Sequence, residues 1–164
     1  MRTPIRKPGK YTFDKKDPLI TVAKLEELKN LLERLKKARP ALIAEVKRLA
    51  LDGDFSENHA YSLAKGKLRG LNARILATEN QIKKAIIIEK PNSGLVEIGS
   101  TIDLEVDGKQ RTYTILGSSE TSPKEGVISH NSPIGSALIN KKLGDIISIK
   151  LPRGVVKYKI LRIY

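Results

Sequence analysis

The first half of this 164-residue chain carries two apolar seams with coiled-coil spacing. In each seam, apolar residues recur at alternating intervals of three and four, which places them on one stripe of a helix. Arg39 interrupts the first seam, and Pro40 beside it should kink or locally break that helix. The seam residues are Leu28, Leu32, Leu35, Leu42, Val46 and Leu49, then Tyr61, Ala64, Leu68, Leu71, Ile75, Thr78, Ile82 and Ala85.

The segment between the seams, residues 51–56, is too short for anything but a tight reversal. Two long helices joined in this way should pack antiparallel. With roughly 30 residues each, they would reach about 45 Å at 1.5 Å per residue. The sequence therefore predicts a coiled-coil hairpin over residues 19–90 with its tip at 52–58, preceded by a basic, extended arm at residues 1–18.

Residues 91–164 change to short β-branched runs broken by Gly, Asp and Pro, which are typical of strands. Strands are expected at 101–106, 111–116, 126–129, 145–151 and 155–163, with tight turns at Asp107-Gly108 and Arg153-Gly154. One helix should start with Ser132 as N-cap and Pro133 in first position, and continue through residue 140. The predicted fold class is α+β: an antiparallel helical hairpin, then a mostly antiparallel sheet with one helix.

Charge is distributed unevenly along the chain. The net charge is +13, of which residues 1–90 carry +10 and residues 91–164 carry +3. Residues 61–70 contribute +3, whereas residues 51–60 contribute −3 through Asp52, Asp54 and Glu57. A basic shaft favours a polyanionic partner such as nucleic acid. An acidic tip would repel phosphates but would suit a cation, and Mg²⁺ is commonly held by one or two carboxylates.

The tip residues also have a purely structural interpretation. Asp54 and Glu57 have the spacing of a capping box for the second helix, and a cap could still hold a carboxylate in place for other work. Phe55 could insert into a pocket or fold back onto the helix ends. The seam position of Tyr61 indicates packing, and His59 is expected to be an exposed first-turn residue. The basic residues Lys65, Lys67 and Arg69 form either a solvated face or a contact with a phosphate backbone.

Several function classes are excluded by composition. The chain has no cysteine, so disulfides, thiol catalysis and Cys-ligated zinc are ruled out. No Gly-rich phosphate loop or nucleophile motif is present, and we therefore expect no enzyme that works by itself. The longest apolar run, residues 85–88, is too short to span a bilayer, and the first residues lack the hydrophobic core of a signal peptide. We expect a cytoplasmic protein with no membrane partner.

Two sequence blocks resemble the bacterial Gre family of transcript-cleavage and elongation factors. Gly53-Asp54-Phe55-Ser56-Glu57-Asn58 followed by Tyr61 is similar to the family's G-D-x-x-E-N-x-x-Y tip motif. The second block, residues 128–145 around Asn131-Ser132-Pro133, resembles its I-S-x-N-S-P stretch. The likeness extends over about residues 20–164. The opening residues and Ser56 resemble the more basic GreB-like branch, but these cues are too short to decide the subtype.

The resemblance implies a C-terminal domain like an FK506-binding protein without proline-isomerase activity. It also implies an accessory factor that binds RNA polymerase, passes its coiled coil down the secondary channel, and stimulates the polymerase's own Mg²⁺-dependent cleavage of backtracked RNA. The nascent RNA 3′ end would then be a second partner. We expect a monomer, because a closed hairpin seam gives no reason to expect a dimer.

The same resemblance assigns roles to the residues that match its motifs. Asp54 and Glu57 would support the second Mg²⁺ of the polymerase active site, with no metal bound stably by the factor alone. Tip positioning would fall to Asn58, Tyr61, Phe55 and Ser56, contact with RNA to Lys65, Lys67 and Arg69, and polymerase docking to Asn131, Ser132 and Pro133. Two alternatives stay open: a channel-binding regulator or inhibitor without cleavage stimulation, and a coiled coil that binds nucleic acid non-specifically.

Overall fold

The protein consists of a helical hairpin followed by a curled five-stranded sheet. The structure is a computed structural model, and it describes residues 17–51, 59–89, 91–151 and 154–164. The hairpin consists of α1 (Val22–Leu51) and α2 (His59–Lys83), with short strands β1 (Leu19–Ile20) and β2 (Ile86–Ile87) at its base. The sheet consists of β3 (Thr101–Val106), β4 (Lys109–Leu116), β5 (Val127–Ser129), β6 (Ile146–Leu151) and β7 (Gly154–Ile163), with helix α3 (Pro133–Leu138) between β5 and β6. The predicted α+β class is confirmed.

The two apolar seams face each other in the hairpin. Every predicted seam residue is buried or half-buried, and the most deeply buried apolar ones are Leu28, Leu35, Ala64 and Ile75. The one polar seam residue, Thr78, donates from its hydroxyl to the Arg74 carbonyl oxygen at 2.8 Å, so its burial leaves no unpaired group.

Pro40 does not break α1, which is helical from Val22 to Leu51. A proline in a helix removes one N–H donor, here the one that would bond the Lys36 carbonyl. Both Lys36 and Pro40 are exposed, so water can replace the missing donor while the seam on the opposite side holds the helix together. The expected local break is therefore absent.

The sheet has the strand order β5-β4-β3-β7-β6 and encloses the main core. Alternate residues of the central strands point inward, and Ile102, Leu104, Ile115 and Ile160 are almost completely buried. Three strand pairs are antiparallel, as predicted, but β4 and β5 pair in parallel, which makes the sheet mixed. A chain that returns through the turns at residues 118–126 enters β5 in the same direction as β4.

Most predicted strand bounds agree with the structure to within one residue, but β4 starts at Lys109. The two-residue turn explains this, because Asp107 and Gly108 both have positive φ, as a tight hairpin turn requires. Helix α3 ends at Leu138, two residues earlier than predicted, since Ile139 leaves the helical region and Asn140 has a φ of +62°. The parallel pair β1–β2 was not predicted; two residues are too few for a periodic signal.

Candidate functional site

The predicted tip, residues 52–58, separates α1 from α2 in the sequence. Asp54, Phe55, Ser56, Glu57 and Asn58 are outside the described residues, so their roles remain predictions. Helix α1 ends at Leu51, whose surface is 85% exposed, and α2 begins at His59, which is also exposed. Both of the helix ends that residues 52–58 connect are therefore exposed to solvent.

On the first turns of α2, Lys65 lies beside Tyr61. The Lys65 ammonium is 5.5 Å from the centroid of the half-buried Tyr61 ring, within range of a cation–π contact. Arg69 follows Lys65 by four residues, so both occupy the Tyr61 side of the helix. Lys67, two residues on from Lys65, lies on a different face. All three cations are exposed, and only two of the three predicted RNA-contacting residues share a face.

A groove beside Pro40 brings further cations together. It is lined by Lys36, Arg39 and Lys47 of α1, with Ile75 and Glu79 of α2. The Lys36 ammonium is 2.7 Å from a Glu79 carboxylate oxygen, and this ion pair bridges the two helices. The three cations were not singled out from the sequence, although positions 36, 39, 43 and 47 recur at helical spacing and could have indicated a shared face.

The loop of residues 129–133 contains the three residues predicted to dock, and we call it the docking loop for that prediction alone. Its shape is held by Ser132. Its hydroxyl accepts from the Gly135 N–H at 3.0 Å and donates to the Ser129 carbonyl oxygen at 2.7 Å. Ser132 is thus the N-cap of α3 with Pro133 following it, as predicted. A Cβ built on Gly135 would overlap the Ser129 carbonyl oxygen, so the close approach of loop and helix requires glycine there.

The docking loop is partly exposed to solvent. Asn131 and Pro133 are exposed, whereas Ser132 is half-buried. The Asn131 backbone N–H donates to the Ser129 hydroxyl at 3.1 Å, and its side-chain amide donates to the Ser118 hydroxyl at 3.4 Å. These bonds hold the loop in one shape while Asn131 and Pro133 remain accessible.

Sequence reasoning missed the residues that join the hairpin to the sheet. Asp17, two residues before β1, lies against Ser118 and His130, which are 101 and 113 positions further along the chain. Burial raises the pKa of the Asp17 carboxyl, but hydrogen bonds from Ser118 and Leu19 and the nearby His130 outweigh it, so the pKa lies below its ordinary value. Neither residue type nor periodicity predicts a contact between residues as far apart in the sequence as Asp17 and Ser118.

Within the described ranges, no group of three or more His, Asp or Glu side chains is arranged to hold a metal ion. Among the helices placed there, none is long and apolar enough to cross a bilayer.

Sequence comparison matches both halves of the chain to one family. The family model described as "Transcription elongation factor, N-terminal" matches residues 18–87, and "Transcription elongation factor, GreA/GreB, C-term" matches residues 90–164. This chain belongs to the GreA/GreB family. The resemblance found in the tip and docking-loop motifs is thereby confirmed.

Individual GreA/GreB relatives align over nearly their whole length. The transcription elongation factor GreA of Alkaliphilus oremlandii is 40% identical over 154 residues, covering 90% of this chain and 96% of the relative. GreA of Clostridioides difficile is 38% identical over 156 residues, covering 92% and 98%. Among solved structures, GreA factor homolog 1 of Thermus thermophilus is 24% identical, with a TM-score of 0.42 over 91% of this chain and 99% of that one.

Proposed function

We propose that this chain acts in the cytoplasm as an accessory factor of RNA polymerase. In this proposal the sheet domain docks at the rim of the polymerase secondary channel through Asn131, Ser132 and Pro133. The hairpin enters the channel, and its tip stimulates the polymerase's own endonucleolytic cleavage of backtracked RNA. The factor itself is not an enzyme, because the reacting phosphodiester and the principal metal site belong to the polymerase.

The observation that carries the proposal is the family match over both halves of the chain, with the G-D-x-x-E-N motif in the stretch of sequence between α1 and α2. The dimensions are compatible with it. Helix α1 has 30 residues, or about 45 Å, which is long enough to carry a tip well away from the docking loop. Exposed Asn131 and Pro133 provide the surface for docking at the other end.

The chemistry of the tip donors is compatible with Mg²⁺. Two carboxylates supply the hard oxygen ligands that this ion prefers, and Mg²⁺ is ordinarily shared between one or two carboxylates and substrate phosphates. In two-metal hydrolysis, the ions stabilise the leaving oxygen and activate the attacking water. Asp54 and Glu57 would add negative charge where the polymerase alone holds its second ion weakly.

The remaining residues would orient the tip and the RNA. Asn58 and Tyr61, with Phe55 and Ser56, would fix the tip against the polymerase. Lys65 and Arg69 share one face beside Tyr61 and would contact the phosphates of the extruded RNA 3′ end. Lys67, on another face, would contribute mainly to the basic field that favours entry.

Cleavage of a 5′-labelled transcript in a stalled, backtracked polymerase complex tests the proposal. The wild type is compared with Asp54→Ala/Glu57→Ala, and polymerase binding is measured in parallel. A matched control, Glu26→Ala/Glu33→Ala, removes the same charge from exposed positions on α1.

The proposal predicts cleavage by the wild type and by the control. It predicts at least a hundredfold slower cleavage by the tip variant at unchanged binding. If the wild type binds polymerase without stimulating cleavage, the chain is instead a channel regulator and the carboxylates serve as a helix cap. If it binds naked RNA and polymerase equally, with affinity independent of the tip, the non-specific alternative is correct.

A further inference from the structure

The hairpin and the sheet domain are connected by two buried or half-buried acids at the base of α1. Asp17 precedes β1, and its side chain is only 7% exposed. One Asp17 oxygen accepts from the Ser118 backbone N–H at 2.8 Å and from the Ser118 hydroxyl at 3.2 Å. The other oxygen accepts from the Leu19 N–H at 3.1 Å, which fixes the rotamer. A carboxylate from the hairpin segment thus satisfies donors of the sheet domain.

A second carboxylate, which belongs to the sheet domain, accepts hydrogen bonds from the start of the hairpin. Glu120 accepts from the Thr21 backbone N–H at 2.7 Å and from the Thr21 hydroxyl at 2.6 Å. The same hydroxyl accepts from the Lys24 N–H at 3.2 Å, so Thr21 caps the first turn of α1. We call Asp17, Thr21, Ser118 and Glu120 the interdomain contact.

Backbone packing at the interdomain contact leaves little freedom. Leu19 and Ile20 pair with Ile86 and Ile87, which ties the start of α1 to the segment that follows α2. Gly117 lies directly against this pair: a Cβ built on it would overlap the Leu19 carbonyl oxygen. Both helices of the hairpin are therefore fixed at their base against the same turn of the sheet domain.

The same turn also holds the docking loop. The Ser118 hydroxyl, which contacts Asp17, lies 2.9 Å from the Ser129 hydroxyl and 3.4 Å from the Asn131 amide nitrogen. His130 Nδ1 is 3.3 Å from the Asp17 carboxylate. One hydrogen-bonded chain therefore runs from the base of α1 through Ser118 to Asn131.

We propose that Asp17 is a positioning residue, which through Ser118 sets the angle between the hairpin and the docking loop. This inference rests on the proposed function, because it concerns where the tip lies once the loop is bound to polymerase. With a hairpin of about 45 Å, a rotation of about 10° at the base moves the tip by about 8 Å. Misplacement of a catalytic group by about 1 Å can cost about a hundredfold in rate.

The role differs from that of a core residue. The hairpin has its own buried seam, and the sheet has its own core, to which neither Asp17 nor Ser118 belongs. Asp17→Asn should therefore leave both parts folded while removing one of the acceptors that join them. Gly117→Ala should separate Leu19 from the turn by steric overlap and produce a larger change of the same kind.

The test uses the full chain and two independent readouts. Because the sequence has no cysteine, Ser62→Cys and Gln110→Cys give two unique sites for spin labels, one on α2 and one on β4. The distance between the labels is measured in the wild-type background, in Asp17→Asn and in Gly117→Ala. Without labels, the same variants are titrated in the cleavage assay, which separates the half-saturating concentration from the maximal rate. The control is Glu125→Gln, which replaces an exposed acid in the same turn region, residues 118–126, as Ser118.

The proposal predicts a shifted or broader distance distribution in both variants, with unchanged helix content. It predicts a maximal cleavage rate at least tenfold lower for Asp17→Asn, a half-saturating concentration within about threefold of wild type, and no change for Glu125→Gln. Unchanged distances, or a loss of affinity with a normal maximal rate, would overturn it. If the wild type stimulates no cleavage, the proposed function fails, and the distance distribution alone decides whether Asp17 sets the angle.

Discussion

Ser132 and Pro133 offer a way to separate a structural role of the docking loop from a binding role. Ser132→Ala removes two hydrogen bonds, one accepted from Gly135 and one donated to Ser129. Loss of an N-cap costs about 1 kcal/mol and a further hydrogen bond about 0.5–1.5 kcal/mol, with partial overlap. We expect the sheet domain to lose about 1–2 kcal/mol of unfolding free energy, or about 4–16 °C in melting temperature.

Pro133→Ala should change stability little and polymerase binding strongly. Proline at the first helical position donates no hydrogen bond that alanine would lose, and its fixed φ contributes about 0.4–1 kcal/mol. The unfolding free energy should therefore change by less than about 1 kcal/mol. Pro133 is exposed, however, and in the proposed docking role its replacement weakens polymerase binding at least tenfold.

Unfolding in urea is monitored by hydrogen exchange at the backbone amides of the buried residues Ile102, Leu104 and Ile160. Polymerase binding is measured with the same proteins. Ser132→Thr is the control, because threonine retains the capping hydroxyl. Unfolding of Ser132→Ala at the wild-type urea concentration would show that the Ser132 cap does not stabilise the domain. Wild-type affinity of Pro133→Ala for polymerase would rule out the docking role of Pro133.

Three further outcomes are expected. Leu104 is completely buried, so Leu104→Ala should cost the sheet domain about 2–5 kcal/mol in urea unfolding while hairpin amides keep their protection; a smaller loss would contradict the packing described. The pKa of Asp17 is lower in the folded protein than in the unfolded chain, where it is about 3.9. The contribution of Asp17 to the free energy of unfolding is therefore complete above this unfolded value and is lost as pH falls through the folded pKa. The difference in unfolding free energy between wild type and Asp17→Asn should therefore shrink only below about pH 4, and shrinkage nearer neutrality would contradict this. Lys65→Gln with Arg69→Gln should reduce the logarithmic salt slope of RNA crosslinking by about 1.4, or about 0.7 per residue. Lys67→Gln, on another face, should reduce the slope by much less than about 0.7, and a reduction of about 0.7 would contradict the shared face.

Much of the fold could be predicted because its signals are local and periodic. The seam from Leu28 to Leu49 needed only the spacing of apolar residues, and the Asp107-Gly108 turn needed only the φ preferences of its two residues. The Ser132 cap followed from a serine before a proline in the same way. In each case the residues that determine the structure lie within a few positions of one another.

The features that could not be predicted depend on distant residues. The parallel pairing of β5 with β4 follows from the path of the chain through the intervening turns, which leaves no periodic trace. The contacts of Asp17 with Ser118 and of Thr21 with Glu120 join the two ends of the fold. The continuity of α1 through Pro40 was missed because a propensity argument omits the support of the opposite helix.

The proposed function requires the tip carboxylates to contribute to the Mg²⁺-dependent chemistry of the polymerase. The most direct measurement is the Mg²⁺ concentration required for half-maximal cleavage at saturating factor, compared between wild type and the charge-neutral variants Asp54→Asn and Glu57→Gln. If they do, each variant should need at least about tenfold more Mg²⁺, equivalent to about 1.4 kcal/mol, with unchanged polymerase binding. An unchanged Mg²⁺ requirement in both variants would contradict it.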